Sequence, residues 1–119
     1  MKATLVFGAS LKTNRYSNIA INRLLENNIK TFGFGLKEGG VGSVQIKTNL
    51  SEFKNIHTIT LYMNPMRQKE YYSKIIDLNP KRVIFNPGTE NPEFYKLLKT
   101  ENIEVEVACT LVLLSIGQY

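Results

Sequence analysis

Short apolar segments alternate with stretches of helical periodicity along the chain. The first of these segments, residues 3–7, stands directly before Gly8 and is apolar except for Thr4, which is typical of a strand buried on both faces. Further strands are predicted at residues 31–35, 58–62, 82–85 and 105–107, with a short edge segment at residues 44–46. Strands spaced in this way, with helical patterns between them, indicate parallel strands joined by crossover helices.

Between these segments, apolar residues recur at the spacing of a helix face. Helices are predicted to begin behind Asn14 or Ser17, at Pro65 and at Pro92. Residues 110–116 are compatible with a helix or a strand, and a short helix that Gly117 ends is favoured. The helix at Pro65 is predicted to continue without a break until Asn79-Pro80 ends it. The glycine-rich residues 38–43 are predicted to form a turn before the edge segment.

A length of 119 residues with 43% hydrophobic residues allows one compact core and is too short for two ordinary domains, so a single domain is predicted over residues 1–119. Its expected architecture is α/β, a three-layer sandwich around a Rossmann-like, doubly wound parallel sheet of about five strands. Such sheets bind ligands at the carboxyl ends of their strands, where the strand order reverses. Four predicted loops leave strands at that edge, namely Gly8-Ala9-Ser10, Gly35-Leu36-Lys37, Met63-Asn64-Pro65 and Asn86-Pro87-Gly88. We therefore expect one ligand site that these loops share.

The composition narrows the kind of partner. The sequence has 15 Lys and Arg against 10 Asp and Glu, a formal net charge of +5, so an anionic ligand is favoured. The basic residues are scattered and form no dense stripe, so we expect no nucleic-acid partner. No apolar run is long enough to cross a bilayer and no signal-peptide pattern opens the sequence. We therefore expect a soluble, cytoplasmic protein without a membrane partner.

One cysteine and one histidine limit the possible chemistry. They provide neither a disulfide framework nor a zinc site, and we expect no metal. His57 stands at the start of a strand, on the edge opposite the expected ligand site. Cys109 follows the last strand and is either a thiol that meets the ligand or a buried, inert side chain. Because no nucleophile, base and orienting group converge, we expect no catalytic residue.

The loop after the first strand departs from the dinucleotide fingerprint. That fingerprint places glycine at three positions, where this chain has Gly8, Ser10 and Thr13. In its place stands a polar loop with two cations, Lys12 and Arg15, next to the N-terminus of a helix. Both phosphate binding and a plain connection are compatible with this loop. If phosphate binds there, a side chain at position 8 is expected to occupy ligand space.

The end of the second strand helps to distinguish among nucleotides. Dinucleotide folds for NAD carry an acidic residue here, whereas a ribose phosphate calls for a cation. This chain has Lys37, followed at once by Glu38. A solvated surface lysine explains Lys37 equally well. As a ligand contact, Lys37 favours coenzyme A, with its ribose 3′-phosphate, or NADP, with its 2′-phosphate, over NAD.

Four segments together resemble a known family. Residues 5–10 (LVFGAS), 15–17 (RYS), 83–88 (VIFNPG) and 108–111 (ACTL) are similar to the small stand-alone CoA-binding proteins. The fold of that family is Rossmann-like and similar to the CoA-binding domain of the succinyl-CoA synthetase α subunit. The resemblance spans essentially the whole chain. It implies that coenzyme A, or an acyl-CoA, lies across the carboxyl edge of the sheet.

The resemblance also implies which residues contact the cofactor. The diphosphate is expected at the first loop and the start of its helix, and the adenosine at the end of the second strand. The candidate cofactor-binding residues are Gly8, Ala9, Ser10, Asn14, Arg15, Tyr16, Ser17, Leu36, Lys37, Asn64, Pro65, Asn86, Pro87 and Gly88. We therefore expect a non-catalytic protein that binds CoA or acyl-CoA. The alternatives are an NADP-dependent or other nucleotide-binding component of an enzyme, and an interaction subunit that lends CoA sensing to a protein partner.

Overall fold

A computed structural model describes residues 2–119, which form one sheet with helices on both faces. Within these residues the strands are β1 (Thr4–Ala9), β2 (Thr31–Gly35), β3 (Gly39–Val41), β4 (Val44–Lys47), β5 (Thr58–Leu61), β6 (Arg82–Phe85) and β7 (Glu104–Val107). The α-helices in the same range are α1 (Tyr16–Glu26), α2 (Pro65–Gln68), α3 (Tyr72–Asp77), α4 (Pro92–Thr100) and α5 (Thr110–Ser115). Short 3-10 turns lie at Leu50–Glu52 and Lys69–Tyr71. Across residues 2–119, no helix is both long and apolar enough to span a membrane.

The strands lie in the order β3-β4-β2-β1-β5-β6-β7. Neighbouring strands are parallel except for β3, which runs antiparallel to β4. From β1 the chain winds outward in one direction through β2 and β4, and later in the other direction through β5, β6 and β7. The strand order therefore reverses between β1 and β5, which is where such sheets bind ligands. The predicted α/β class with a doubly wound, mostly parallel sheet is confirmed, although residues 2–119 contain seven strands where about five were expected.

Both faces of the sheet are buried, as the apolar segments indicated. In β1, Leu5 and Phe7 face the side on which α3 and α4 pack, and Val6 faces the side of α1. Phe85 and Phe94 belong to the first of these cores, with ring centroids 5.9 Å apart. The hydrophobic run Leu5-Val6-Phe7 in β1 follows from this arrangement, because successive side chains enter different cores.

Residues 38–43 form more than the predicted turn. Gly39–Val41 is strand β3, which is joined to β4 by the two residues Gly42 and Ser43. The side chain of Val41 is buried, and a Cβ added to Gly39 would lie 2.7 Å from Cδ2 of Leu11. The prediction of a plain turn was wrong because Leu11, in the first loop, packs against a segment that has little strand character of its own.

The helix predicted over residues 65–78 is interrupted. Helix α2 ends at Gln68, a 3-10 turn follows, and α3 begins at Tyr72. The interruption turns Tyr71 toward the core, where its ring meets that of Phe7 edge-on at a centroid distance of 5.3 Å. Tertiary contacts of Gln68 and Tyr71 therefore override a helical pattern that is continuous in the sequence.

Helix α1 begins at Tyr16, and its cap differs from the prediction. Arg15 is the N-cap residue, with an extended backbone at φ −82° and ψ 142°. Ser17 lies buried in the first turn, and Asn14 is exposed one residue before the cap. The helix begins here because the backbone N–H of Arg15 donates a 3.1 Å hydrogen bond to the carbonyl of Lys12, which closes a turn just before the helix.

Candidate functional site

The loops that follow β1, β2, β5 and β6 leave the sheet at its carboxyl end. Because these four strands are parallel neighbours, the structure brings the predicted site residues to one edge, which we call the rim (residues 8–17, 35–38, 62–67 and 86–91). Large apolar side chains are exposed on the rim, with exposed fractions of 71% for Tyr16, 74% for Leu36 and 86% for Met66. The sequence analysis missed Met66, although an apolar residue directly after a predicted rim loop was a usable signal.

Two glycines allow the carboxyl ends of neighbouring strands to approach closely. Gly8 has a φ of +95°, and the pairing of β1 with β2 skips it between Phe7 and Ala9. A Cβ added to Gly8 would lie 3.1 Å from the carbonyl carbon and oxygen of Tyr62, and one added to Gly35 would overlap the carbonyl oxygen of Ala9. A side chain at Gly8 would therefore press against the backbone after β5, and its occupation of ligand space stays a prediction.

The loop after β1 is hydrogen-bonded to the first turn of α1. Asn18 is buried, and its Nδ2 donates a hydrogen bond of 2.9 Å to the carbonyl oxygen of Ser10. The Oγ of Ser10 accepts a hydrogen bond of 3.1 Å from the backbone N–H of Lys12. These bonds shape the loop while the side chains of Lys12 and Arg15 stay exposed. The loop can therefore present two cations and the N-terminus of an 11-residue helix to an anion.

The loop after β5 leads directly into α2 at the rim. The Oδ1 of Asn64 accepts a hydrogen bond of 3.0 Å from the backbone N–H of Arg67, so Asn64 caps this helix. Pro65 occupies the start of the helix, where its missing N–H would have no intrahelical partner in any case. The side chain of Arg67 is exposed and adds a cation to the rim that the sequence analysis did not include.

Asn86 organises the loop after β6. Its side chain is buried, and Nδ2 donates to Oγ1 of Thr60 at 2.6 Å and to the carbonyl of Leu61 at 2.8 Å. Its Oδ1 accepts a hydrogen bond of 2.8 Å from the backbone N–H of Thr110. Because these groups bond within the protein, Asn86 contributes to the rim through the backbone that it holds. The two residues after it are exposed, and Gly88 has a φ of +92°.

The rim cations take part in none of the ion pairs that residues 2–119 form. Those pairs join Arg23 to Glu26, Lys47 to Glu52 and Arg82 to Glu106. Lys37 is exposed, and the carboxylate of its neighbour Glu38 accepts a hydrogen bond of 3.4 Å from Oγ1 of Thr48. Positive charge at the rim is therefore available to an anionic ligand.

A cleft of about 470 Å³ opens beside the ends of β2 and β4. Its lining includes the aromatic side chains of Phe34 and Tyr71 and the cationic side chain of Lys74. Small-molecule sites have volumes of roughly 300–1,000 Å³, so the cleft is large enough for part of a nucleotide. Because Phe34 directly precedes residues 35–37, the cleft adjoins the predicted adenosine end of the site.

The groups with acid–base or thiol chemistry lie apart. His57 precedes β5 at the amino end of the sheet, as predicted, with Nδ1 2.8 Å from Oγ1 of Thr58. Burial, and then the charges of Arg82 and Lys2, hold the pKa of His57 below its ordinary value. Cys109 is partly buried after β7, at the start of α5. Among residues 2–119, no three His, Cys, Asp or Glu side chains cluster as a metal site would require.

Tyr62 follows β5 at the point where the strand order reverses. Its hydroxyl is buried, and burial, with a smaller contribution from Cys109, raises the pKa of Tyr62 to about 12. The hydroxyl therefore keeps its proton at neutral pH. In that state Tyr62 can take part in hydrogen bonding, but it is not a base.

Comparisons with known proteins identify a family and a shared fold. Residues 2–115 match the protein family described as CoA binding domain. The solved structure of a protein described as uncharacterized is 43% identical, with a TM-score of 0.96 over 100% of this chain and 98% of that chain. A hypothetical protein from Pyrococcus horikoshii is 25% identical, with a TM-score of 0.83 over 93% and 80% of the two chains. A Thermus thermophilus protein that is 20% identical shares the fold, with a TM-score of 0.86 over 99% and 91%. No significant match was found among curated proteins.

Proposed function

The chain belongs to the CoA binding domain family, and on that premise we propose that it holds coenzyme A, or an acyl-CoA, at the rim without catalysing a reaction. Membership covers residues 2–115, which is nearly all of the chain. The proposal adds the location of the ligand, its contacts and a role limited to binding. The observation that carries the location is the reversal of strand order between β1 and β5, with exposed cations on the loops around it.

The diphosphate of the ligand binds at the first loop. The positive end of α1 faces this loop, and Lys12 and Arg15 supply charge-assisted hydrogen bonds. The left-handed backbone at Gly8 turns the chain so that the N–H groups that follow it are available to phosphate oxygens. Tyr16, exposed at the first helical position, adds an apolar contact.

The order of the loops gives the ligand a direction in this proposal. With the diphosphate at β1, the adenosine end lies over β2, beside Leu36. There Lys37 meets the ribose 3′-phosphate, and the adjoining cleft at Phe34 receives part of the adenosine. The pantetheine end extends the other way, over the loops of β5 and β6, past Pro65 and Gly88.

A binding role is supported by the placement of the groups that could move protons. His57, the one histidine of the sequence, lies at the amino end of the sheet. Tyr62 has a pKa of about 12 and is a poor base near neutral pH. A reaction of bound CoA would therefore need catalytic groups from a partner protein, which is how a CoA-sensing subunit would work.

Lys37 also supports a second candidate, a nucleotide-binding component of an NADP-dependent enzyme. A ribose 2′-phosphate would meet the same cation after β2. The first loop argues against this candidate, because Ser10 and Thr13 stand where the dinucleotide fingerprint has glycine. CoA therefore remains the better supported ligand.

Thermal unfolding with added nucleotides tests the proposal. A ligand that binds only the native state stabilises it by about 2.7 kcal/mol at 100 times its Kd. For a domain of this size that gain raises Tm by roughly 10 °C. We expect CoA to raise Tm in proportion to the logarithm of its concentration, and NADPH to have little effect. A shift with NADPH and none with CoA would contradict CoA binding and favour the second candidate.

A further inference from the structure

Gln68, the last residue of α2, is fully buried, although glutamine usually lies at protein surfaces. Its Nε2 donates two hydrogen bonds, one of 2.7 Å to the carbonyl of Met63 and one of 2.9 Å to the carbonyl of Thr89. Its Oε1 accepts a hydrogen bond of 2.9 Å from Nδ2 of Asn91. One side chain therefore ties the loop after β5 to the loop after β6.

The Asn91 end of this network is anchored to helices. The Oδ1 of Asn91 accepts a hydrogen bond of 3.2 Å from the backbone N–H of Phe94 and so caps α4. The Nδ2 of Asn91 also donates to the hydroxyl of Tyr72 at 2.8 Å, and that hydroxyl donates to Glu93 at 3.0 Å. The network therefore connects α2, α3 and α4 where the two rim loops enter their helices.

The buried position of Gln68 beneath the two loops does not require a carboxamide. An apolar side chain of the same length would pack without the cost of removing an amide from water. Hydrogen bonds offset that cost, and those of Gln68 all run to the two rim loops or to the cap of α4. Their effect is to set the distance between the two loops.

We propose that Gln68 is a positioning residue for bound CoA, because it holds the loop of Asn64 and Pro65 at a set distance from the loop of Pro87 and Gly88. This inference rests on the proposed function, in which the pantetheine half of the ligand extends over these two loops. Gln68 itself is buried beneath the rim. Its loss weakens binding of the pantetheine half and leaves the half at β1 and β2 unaffected.

Calorimetry with CoA and its two fragments separates positioning from general damage. The fragments are adenosine 3′,5′-bisphosphate and 4′-phosphopantetheine. Gln68→Met keeps the length of the side chain and removes all three hydrogen bonds. We expect CoA and 4′-phosphopantetheine to bind this variant about tenfold more weakly, the order of effect of unsatisfied buried carbonyls. Adenosine 3′,5′-bisphosphate should bind as it does to the wild type.

Ile75→Val is the matched control. Ile75 is fully buried in α3, so this variant loses packing near the network without changing the hydrogen bonds of Gln68. It should lower Tm and leave the three affinities unchanged. Asn91→Ser is a milder second variant, because serine also caps helices and its shorter side chain removes the donor to Gln68. It should weaken the same two ligands by a smaller factor, and it decides the matter if Gln68→Met does not fold.

If Gln68→Met binds both fragments equally more weakly than the wild type does, the positioning role is overturned. Unchanged affinities in folded Gln68→Met protein would overturn it as well. The same selective pattern in Ile75→Val would overturn it as well, because packing would then explain the effect. Wild-type protein that binds neither CoA nor a fragment would refute the proposed function itself. The wild-type titration therefore distinguishes a failure of the proposed function from a failure of the role of Gln68.

Discussion

Arg82, at the amino end of the parallel sheet, and the lysines at its carboxyl end use their charge in opposite ways. At the amino end, Arg82 is 5% exposed, its Nη1 lies 3.0 Å from Oε1 of Glu106, and its guanidinium lies 4.5 Å from the ring centre of Tyr119. At the carboxyl end, Lys12 and Lys37 are exposed and belong to none of the ion pairs among residues 2–119. A net charge of +5 therefore does not by itself predict a binding surface. Burial and pairing commit Arg82 to the fold, whereas Lys12 and Lys37 stay available to a ligand.

The amino end is a packed polar cluster. The hydroxyls of Thr4 and Tyr119 are hydrogen-bonded to each other, and Nε of Arg82 donates to Oγ1 of Thr58 at 3.2 Å. Burial raises the pKa of Tyr119, so its hydroxyl stays neutral beside the buried cation. Because these side chains bond to one another, we expect changes here to affect stability and changes at the rim to affect binding.

Arg82→Met should have the largest effect, and only on stability. The variant leaves Glu106, whose side chain is 28% exposed, without its partner. Breaking a buried ion pair costs roughly 3–5 kcal/mol, and the partial exposure of Glu106 puts this case at the lower end, about 3 kcal/mol. Urea denaturation measures the loss. The affinity of the folded variant for CoA should be unchanged.

Arg23→Met is the control for that prediction. The Arg23–Glu26 pair has a distance of 3.7 Å and is exposed on both sides, and such pairs contribute about 0–1 kcal/mol. Similar losses of stability in the two variants would contradict the special role of the amino end. Weaker CoA binding by folded Arg82→Met protein would contradict the separation of the two ends.

In contrast to Arg82→Met, Lys37→Ala should lower the affinity for CoA and leave the free energy of unfolding nearly unchanged. A hydrogen bond to a charged group contributes about 1.5–3 kcal/mol, and solvent and salt reduce this at an exposed site. We therefore expect CoA to bind about tenfold more weakly, the equivalent of about 1.4 kcal/mol. Dephospho-CoA, which lacks the 3′-phosphate, should bind both proteins alike.

Calorimetry of both ligands against both proteins forms a closed cycle that isolates this contact. Lys96→Ala removes another exposed cation, in α4, and should leave both affinities unchanged. If Lys37→Ala weakens the two ligands equally, Lys37 acts on the diphosphate and the proposed direction of the ligand is wrong. If neither ligand weakens, the 3′-phosphate meets a different cation.

The sheet was predictable because most of its strands carry their own signal. Residues 5–7 are apolar at every position, as a strand buried on both faces requires. Strand β3 has no such signal, because Gly39 and Gly40 have no side chains to alternate, and only the pairing with β4 defines it. The interruption of the helix after Gln68 also has no signal in the local sequence, because it is caused by contacts with loops elsewhere in the chain.

The rim was predictable from topology, whereas the way it is held was not. Parallel strands necessarily end at one edge, so Gly8, Lys37, Asn64 and Gly88 could be grouped before any contact was known. Gln68 bonds to the carbonyl of a residue 21 positions away, and its local pattern is that of an exposed helical position. A buried carboxamide is recognised only when its distant partners are seen.

His57 offers the smallest test, and it concerns the amino end alone. Burial, followed by Arg82 and Lys2, lowers its pKa, while Glu104 opposes them. The unfolded chain, in which His57 titrates near its ordinary pKa of about 6.5, therefore binds a proton more readily than the native state. The stability that neutral His57 contributes to the native state is fully present above the pKa of the unfolded chain, and it is lost as the pH falls below that value.

We therefore expect the free energy of unfolding to fall slightly between about pH 7 and pH 5, and we expect this fall to be smaller in His57→Gln. The affinity for CoA should depend on pH in the same way in both proteins. Urea denaturation at several pH values measures the first quantity, and calorimetry measures the second. If the wild type instead gained stability relative to His57→Gln as the pH fell, a carboxylate such as Glu104 would dominate over Arg82 and Lys2. If CoA affinity diverged between the two proteins at low pH, the charge of His57 would be felt at the rim. That outcome would show that the two ends of the sheet are coupled, and the division of cations between folding and binding would no longer hold.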